Sequence, residues 1–525
     1  LNAIPKIGIW VAIAIATFVI SALAALLFEA PSLDMRQIWS DPYYRHVTKF
    51  SFYQALLSSL LSVGFAIPVA HALSRRHFKG KDLLLKLFAT TLVLPVLVGV
   101  FGLLAIYGNS GLISVWLQKF DTAMPFSIYG LNGILLAHVF FNLPYASRLL
   151  LQALETVPAE QHKLCAHLGM SHWTKFKWVE WPRLKQQLPH VFGLVFMLCF
   201  TSFATVMALG GGPKSTTIEL AIYQAIKFDF DLQAGALLAI WQMLLCGLIA
   251  LSIQRLSAPL SVSTGAMQKR LYLVNDTWVS RGWDCFWIIG ALLLVLPPLS
   301  MVIISGINSQ LPHVLTDARF WSALWSSLKV ASLASIIAVT VGIAILVTSR
   351  ALRLQSKSRQ ADQIELMGTI ILVTPGLVVS TGLFLLLRNI TDVFSVAGVV
   401  VIAVNALMAL PYVIKTLAQP MLHIAQQYQY VCASLGIKGW QRFRVIEFRA
   451  LRKPFAHAFA ISFMFSMGDL SAIALFGSQE FRTLPLYLFQ LLGSYQMDAA
   501  AVVSVTLLLL SISCFAVIET LFKAK

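Results

Sequence analysis

Acidic residues are scarce in this chain. Its 525 residues include 22 Asp and Glu against 39 Lys and Arg, and charged residues make up 12% of the whole. Soluble domains carry about a quarter charged residues, so an ordinary water-facing surface is excluded. Cysteines are also few: Cys165, Cys199, Cys246, Cys285, Cys432 and Cys514. None forms a C-x-x-C pair, which removes the common zinc and thiol-redox motifs. Cys199, Cys246 and Cys514 fall in apolar runs, where a thiol acts as a small hydrophobe, and disulfide stapling is not expected. A nucleotide loop is missing too. LGGGPKST (209–216) has no glycine directly before Lys214 and fails the phosphate-loop spacing, so it reads as a glycine-rich turn. No nucleophile–base set and no metal-ligand cluster stand out. The chain is expected to be no enzyme, with no catalytic residue, metal or cofactor of its own.

What fills the sequence instead is hydrocarbon. Hydrophobic residues make up 58% and the mean hydropathy is +0.78. They come in runs of about 20, the length of helix that crosses a bilayer. Spans are expected near 7–28, 54–74, 87–107, 131–152, 189–209 and 234–254, then near 284–305, 322–348, 365–388, 396–417, 455–476 and 498–520. The run at 7–28 is too long for a signal-peptide core and lacks a clear cleavage site, so it reads as a retained helix. The expected fold is all-α and integral to the membrane, with about 12 transmembrane helices.

The net charge of +17 has a membrane explanation. With the N-terminus in the cytoplasm, the loops near 75–86, 148–188, 255–283, 349–364 and 415–454 face inward. The inward segments hold 29 of the 39 Lys and Arg residues, as the positive-inside rule requires. Both termini are then cytoplasmic, and lipid is the expected surrounding. The charges are spread over several loops, so no nucleic-acid partner is expected.

The chain repeats itself. Gly169 and Gly436 lie 267 positions apart, and other landmarks align at nearly that offset. FYQALLSSL (52–60) pairs with FWSALWSSL (320–328), NLPY (142–145) with ALPY (409–412), FMLCFTSFATVMALG (196–210) with FMFSMGDLSAIALFG (463–477), and TTIELAIYQ (216–224) with RTLPLYLFQ (482–490). The expected units are a first repeat over 1–254, a junction loop over 255–283 and a second repeat over 284–525. Six spans per unit, an even number, insert both copies the same way up and give two parallel six-helix repeats.

The most polar part of the repeat is a basic, glycine-centred cytoplasmic segment, at 155–185 in the first copy and 420–453 in the second. Each copy presents a short apolar helix face, Leu164, Cys165 and Leu168 or Val431, Cys432 and Leu435. A Leu-Gly pair follows, then Trp173 or Trp440, then Phe176-Lys177 or Phe443-Arg444. Each copy closes on a triplet, Val179-Glu180-Trp181 or Ile446-Glu447-Phe448. Helix, glycine break, helix is a shape that glycine permits and that suits docking into a groove on a soluble partner. Two copies suggest a partner with two equivalent grooves.

This spacing resembles the cytoplasmic EAA loop of ABC importer permeases, in which Glu-Ala-Ala, three residues, Gly, nine residues and Ile-x-Leu-Pro form the coupling helix. Gly169, Val179 and Trp181-Pro182 fall on the glycine, Ile and Leu-Pro positions of the first copy. Gly436, Ile446 and Phe448 do so in the second, with Arg449 in place of the proline. The Glu-Ala-Ala positions read Lys163-Leu164-Cys165 and Tyr430-Val431-Cys432. Two such halves in one chain resemble the fused iron(III)/thiamine branch of type I importers. GILLAHVFFNLPYASRLLLQALE (133–155), GGGPKSTTIELAIYQA (210–225), NALMALPY (405–412) and FRTLPLYLFQ (481–490) resemble its thiamine-transporting permeases over nearly the whole length. The resemblance implies a type I ABC importer permease fold in the bacterial inner membrane. It also implies uptake of thiamine and its phosphates from a periplasmic binding protein, driven by a separate ATPase dimer that holds the Mg-ATP.

Asp469 lies inside the span 455–476, where a carboxylate costs about 2.5–3.5 kcal/mol. Its repeat partner is the neutral Ser202. Two readings stand side by side: an acidic residue on the path of the cationic thiamine, or a structural hydrogen bond at the seam between the halves. His138 is read as a packed residue bonded to a neighbouring helix, and Glu365 as interfacial. Pro95, Pro144, Pro375 and Pro411 are expected to kink their spans. Ferric iron as cargo and an ion-coupled secondary transporter remain the rival readings.

Overall fold

The computed structural model describes residues 5–29, 34–256, 277–372, 374–437 and 439–523. Most of the junction loop expected at 255–283 lies outside them. Among the described residues the regular structure is all helical. The first half runs α1 (Ile7–Glu29), α2 (Pro42–Arg75), α3 (Lys81–Val93), α4 (Val96–Tyr107), α5 (Leu131–Glu155), α6 (Ala159–His167), α7 (His172–Lys175), a π-helical turn (Phe176–Glu180), α8 (Trp181–Phe200), α9 (Phe203–Leu209), α10 (Ile218–Lys227) and α11 (Leu232–Leu256). The second repeats that order: α12 (Trp278–Gly306), α13 (Ala318–Leu354), α14 (Ser358–Gly368), α15 (Gly376–Arg388), α16 (Ala397–Gln427), α17 (Gln429–Ser434), α18 (Gly439–Arg442), a π-helical turn (Phe443–Glu447), α19 (Arg452–Gly468), α20 (Ser471–Phe476), α21 (Leu484–Gly493) and α22 (Met497–Lys523).

Ten stretches among the described residues are long and apolar enough to cross a membrane, and the run His172–Phe200 with α9, bent by 52°, counts as an eleventh if the bent pair is one span. The difference from twelve lies at two expected spans. The segment near 189–209 turns at Thr201-Ser202. The segment near 365–388 breaks before Pro375, which sits extended at ψ 144°, because proline has no amide to donate and pushes its predecessor out of the helix. The same break falls at Leu94-Pro95, with ψ near 130° at both residues. It moves the long apolar stretch expected at 87–107 to Val96–Gln118. Pro144 and Pro411 stay inside α5 and α16 without ending them.

Each half lends its first helix to the other. α1 packs on α13 and α15 of the second half, and α12 packs on α2 and α4 of the first. The two crossings are equivalent and tight. A methyl group added at Gly102 would meet the Pro298 carbonyl at 2.5 Å, and one added at Gly382 would collide with the Ala22 carbonyl. Small residues let membrane helices approach this closely, and van der Waals packing then holds them. A buried Asp284 in α12 fastens the second swap, accepting from Arg75 at 2.7 Å and from Arg76 at 2.6 Å.

The structural register of α2 against α13 differs from the sequence pairing. Asp41 and Asp317 cap the two helices by accepting from Tyr43 and Arg319 amides. Ser51 accepts the Ile218 amide at 2.9 Å, and Ser327 the Leu484 amide at 2.7 Å. These contacts pair residue 51 with 327, so each residue of 52–60 has its equivalent eight positions beyond the FWSALWSSL match. Both sequences are rich in Leu, Ser and Ala, and a slipped match of small and apolar residues costs nothing at the level of pattern.

Candidate functional site

Two parts of the molecule carry chemistry: the paired glycine-centred segments at one end of the bundle, and a cavity shared by the halves.

In both segments the first helix ends in the same backbone motif. Gly169 has φ +62° and Gly436 φ +68°. The amide of Met170 donates to the Cys165 carbonyl at 3.1 Å, and that of Gly169 to Ala166 at 3.1 Å. In the second copy Ile437 donates to Cys432 at 3.0 Å and Gly436 to Ala433 at 3.4 Å. This is the Schellman closure, which requires a left-handed residue where glycine stands. α7 then starts with Ser171 accepting the Thr174 amide. Leu164, Leu168, Val431 and Leu435 are exposed, as are Trp173 and Tyr430, whereas Cys165 and Cys432 are buried. The six apolar residues singled out in the sequence therefore split by face: four project outward and the two cysteines pack inward. Val179 and Ile446 are half-buried in the π-helical turns, and Pro182 is exposed at the start of α8.

Glu180 and Glu447 end those turns and are both buried. The Glu180 carboxylate lies 2.9 Å from His71 Nε2 of α2 and 3.4 Å from Lys175 Nζ. Glu447 lies 2.7 Å from Arg350 Nη2 of α13. Arg442 Nε is 2.9 Å from its other oxygen, at ion-pair distance but off the angle of a hydrogen bond. Each glycine-centred segment is thus tied by one carboxylate to the longest helix of its own half. The sequence reading quoted both glutamates within the closing triplets but gave them no role; their recurrence at one position in both copies was the available clue.

A cavity of about 1220 Å³ lies between the halves. The LPY pair lines it from both sides, through Tyr145 of α5 and Tyr412 of α16, which are electrostatic neighbours. Tyr412 stacks on Phe465 with ring centroids 4.3 Å apart. Ser202 and Asp469 also line the cavity, each half-buried. Asp469 lies just before the cap residue Leu470 of α20 and ties down the first turn: it accepts from the Ser471 hydroxyl at 2.7 Å and amide at 3.2 Å, and from the Ala472 amide at 3.3 Å. Asp469 thus bonds the backbone of its own segment, not the opposite half, and it also faces the cavity. Ser202 does not cap α9. Its hydroxyl bonds His138 at 2.8 Å, whose other ring nitrogen meets Ser58 at 2.8 Å, so His138 is packed and satisfied as expected. The cavity runs toward the glycine-centred segments past Gln187, His190, Glu365 and Lys415. Glu365 is paired with Ser349 and Arg353. Glu219 of α10, buried and on the cavity wall, went unnoticed in the sequence because it sits in the apolar run TTIELAIYQ. At the far end Lys227 of α10 donates to the Leu475 and Gly477 carbonyls, at 3.2 and 3.1 Å, and bridges the halves. Among the described residues no three His, Cys, Asp or Glu side chains gather as a metal site.

Two swapped halves around a shared cavity, each with its own protruding helix pair, define a binding-protein-dependent membrane permease. The chain belongs to the family of binding-protein-dependent transport system inner membrane components, whose model matches residues 62–261 and 351–524, once in each half. It is thus a multi-pass inner-membrane protein of a transport system. Among its relatives is the thiamine transport system permease protein ThiP of Escherichia coli K12, 50% identical over 512 residues, or 97% of this chain and 94% of that protein. The protein of the same name from Salmonella typhimurium is 48% identical over 98% of this chain and 96% of its own length. That from Haemophilus influenzae is 41% identical, over 95% and 93%.

Proposed function

We propose that this chain is the permease of an ATP-driven importer, moving thiamine and its phosphates from a periplasmic binding protein into the bacterial cytoplasm. One observation carries the reading: a cavity shared by two pseudo-equivalent halves, with two copies of one Schellman-closed helix pair at a single end. The excess of Lys and Arg in the loops at that end supports a cytoplasmic position for it and for both termini. There Leu164, Leu168, Val431 and Leu435 dock on a homodimeric ATPase, one helix pair per subunit, while Gly169, Gly436, Cys165, Cys432, Val179, Ile446 and Pro182 set the shape of the docking elements. The ATPase binds and hydrolyses Mg-ATP; this chain holds no nucleotide. Closure of the ATPase dimer moves both helix pairs together. Glu180 and Glu447 transmit that motion to α2 and α13, and the cavity switches from one side to the other as a rigid-body change. The Lys227 bridge at the far end is broken when the cavity opens to the periplasm.

The cavity suits the cargo. Thiamine joins a permanently charged thiazolium to an aromatic pyrimidine. Tyr145, Tyr412 and Phe465 supply faces for stacking and cation–π attraction, and Asp469 supplies the opposite charge. Uptake of labelled thiamine into vesicles holding this chain, its ATPase and its binding protein tests the reading. Uptake is expected to require ATP and the binding protein; uptake driven by an ion gradient without ATP would overturn it. Within that assay Asp469→Asn is expected to lower thiamine uptake about tenfold, since removing one charge–charge attraction in a partly desolvated site costs about 1–2 kcal/mol. Asparagine keeps one acceptor oxygen for the Ser471 hydroxyl and amide and gives up the longer Ala472 contact of 3.3 Å, so the change removes the charge together with one backbone contact. Normal uptake by a properly assembled Asp469→Asn complex removes Asp469 from the pathway.

A further inference from the structure

The cavity has an electrical direction. Along α16 the residues Met408, Tyr412 and Lys415 follow one another at helical spacing, and all three line the cavity. Met408 sits beside Asp469 through Ser471: the Ser471 hydroxyl is 2.7 Å from Asp469 and 3.9 Å from the Met408 sulfur. Lys415 is seven residues on, about 10 Å along the helix axis and nearer the docking elements. One wall therefore presents a carboxylate, then the Tyr412–Phe465 stack, then an ammonium. His190 of α8 lines the same end, within electrostatic reach of Lys415. Lys415 is exposed, and among the described residues no carboxylate pairs with it. The other acid at that end, Glu365, is engaged by Arg353 and Ser349.

A lysine near the cytoplasmic end of a span has a bland explanation, contact with lipid headgroups. Its repeat partner Arg148 fits that explanation, since it does not line the cavity. Lys415 faces the cavity instead, so the basic charge is placed asymmetrically, on the wall that also carries Asp469.

We infer that Lys415, assisted by His190, recognises the phosphate end of phosphorylated thiamine, while Asp469 and the Tyr412–Phe465 stack hold its thiazolium end. The assignment rests on the proposed thiamine reading and adds to it an orientation and a residue that separates phosphorylated from free cargo. An ammonium donating to phosphate oxygens makes a charge-assisted bond that free thiamine cannot accept. Asp469 acts on both cargoes.

The test compares labelled thiamine and thiamine pyrophosphate in vesicles containing the full complex, with permease level and ATPase association measured in each preparation. Lys415→Gln is expected to lower pyrophosphate uptake about tenfold relative to thiamine uptake, the usual weight of one charge-assisted contact. Lys415→Arg is expected to restore most of the ratio, and Asp469→Asn to lower both cargoes together. A Lys415→Gln variant that loses both equally, or neither, overturns the assignment. So does a wild-type complex that takes up thiamine but not its pyrophosphate. A wild-type complex that takes up neither compound overturns the thiamine reading, and this assignment with it.

Discussion

Valine at both Gly169 and Gly436 is expected to abolish ATP-driven uptake while the chain still inserts in the membrane. The argument is one of backbone conformation. Both glycines sit at positive φ, +62° and +68°, and a Cβ placed on either would meet nothing within 4 Å. No clash penalises the substitution; only the left-handed backbone does, at about 1–2 kcal/mol for an ordinary L-residue and more for a β-branched one. That is small against the stability of a membrane bundle but large against the helices concerned. α6 has nine residues and α17 six, far below the length at which a helix stands alone in water. Their direction is set by the closure itself, through the bonds of Met170 to Cys165 and Ile437 to Cys432. Once valine leaves the left-handed region, both bonds are lost and the chain exits α6 and α17 on a different course. The exposed leucines then no longer present one surface to the ATPase. The proposed mechanism grips one motor subunit with each segment, so the double variant is expected to fall below a hundredth of wild-type uptake, with weakened co-purification of the ATPase. Asparagine tolerates the left-handed region, so the double asparagine variant is expected to retain most of the activity. Near-normal uptake in the valine pair would sink the docking role of these segments.

The sequence was most legible where chemistry interrupts hydrocarbon. The glycine-centred segments, the LPY pair and Asp469 with Ser202 stand out because a polar or conformationally special residue recurs at one offset. The structure places each pair on equivalent elements. Apolar stretches were read less well. A break such as Leu94-Pro95 or Thr374-Pro375 leaves composition unchanged, so runs near 87–107 and 365–388 looked like whole spans although each contains a helix end. The eight-residue slip between α2 and α13 has a related cause: Ser, Ala and Leu recur at helical spacing, and only the capping bonds to Ile218 and Leu484 fix the register. The swap of α1 and α12 left no local trace, since Gly102 and Gly382 acquire meaning only against Pro298 and Ala22. Glu180 and Glu447 were visible as letters, but their partners His71 and Arg350 lie about a hundred positions away on other helices, and no periodicity links them.

Those partners differ between the halves, and the difference predicts unequal damage. Glu447→Ala is expected to disable transport more severely than Glu180→Ala. Glu447 is held by two guanidinium groups, Arg350 and Arg442, whose side chains are 11% and 15% exposed against 1% for the carboxylate. Arginine cannot shed its charge, so deleting the carboxylate strands a buried cation, a loss of about 3–5 kcal/mol when one member of a buried pair is removed. At about 1.4 kcal/mol per factor of ten, that exceeds a hundredfold shift against the attached position of the second helix pair. Glu180 faces His71 and Lys175. An imidazole carries no fixed charge as a guanidinium does, and Lys175, at 3.4 Å, has a flexible stem that can carry its ammonium toward water. Glu180→Ala should therefore cost about tenfold in uptake. Glu447→Ala combined with Arg350→Met removes one of the two stranded charges and leaves Arg442, which still donates to the Ala425 carbonyl at 3.0 Å; it is expected to recover part of the loss, as exchanging a buried ion pair for apolar groups is often nearly neutral. The measurement is uptake per ATP hydrolysed, which separates a detached coupling element from a misfolded chain: the detached element still permits hydrolysis, with little cargo moved. Equal damage from the two single alanine variants, or a double variant worse than Glu447→Ala alone, would show that these carboxylates do not tie the docking elements to α2 and α13 by charge.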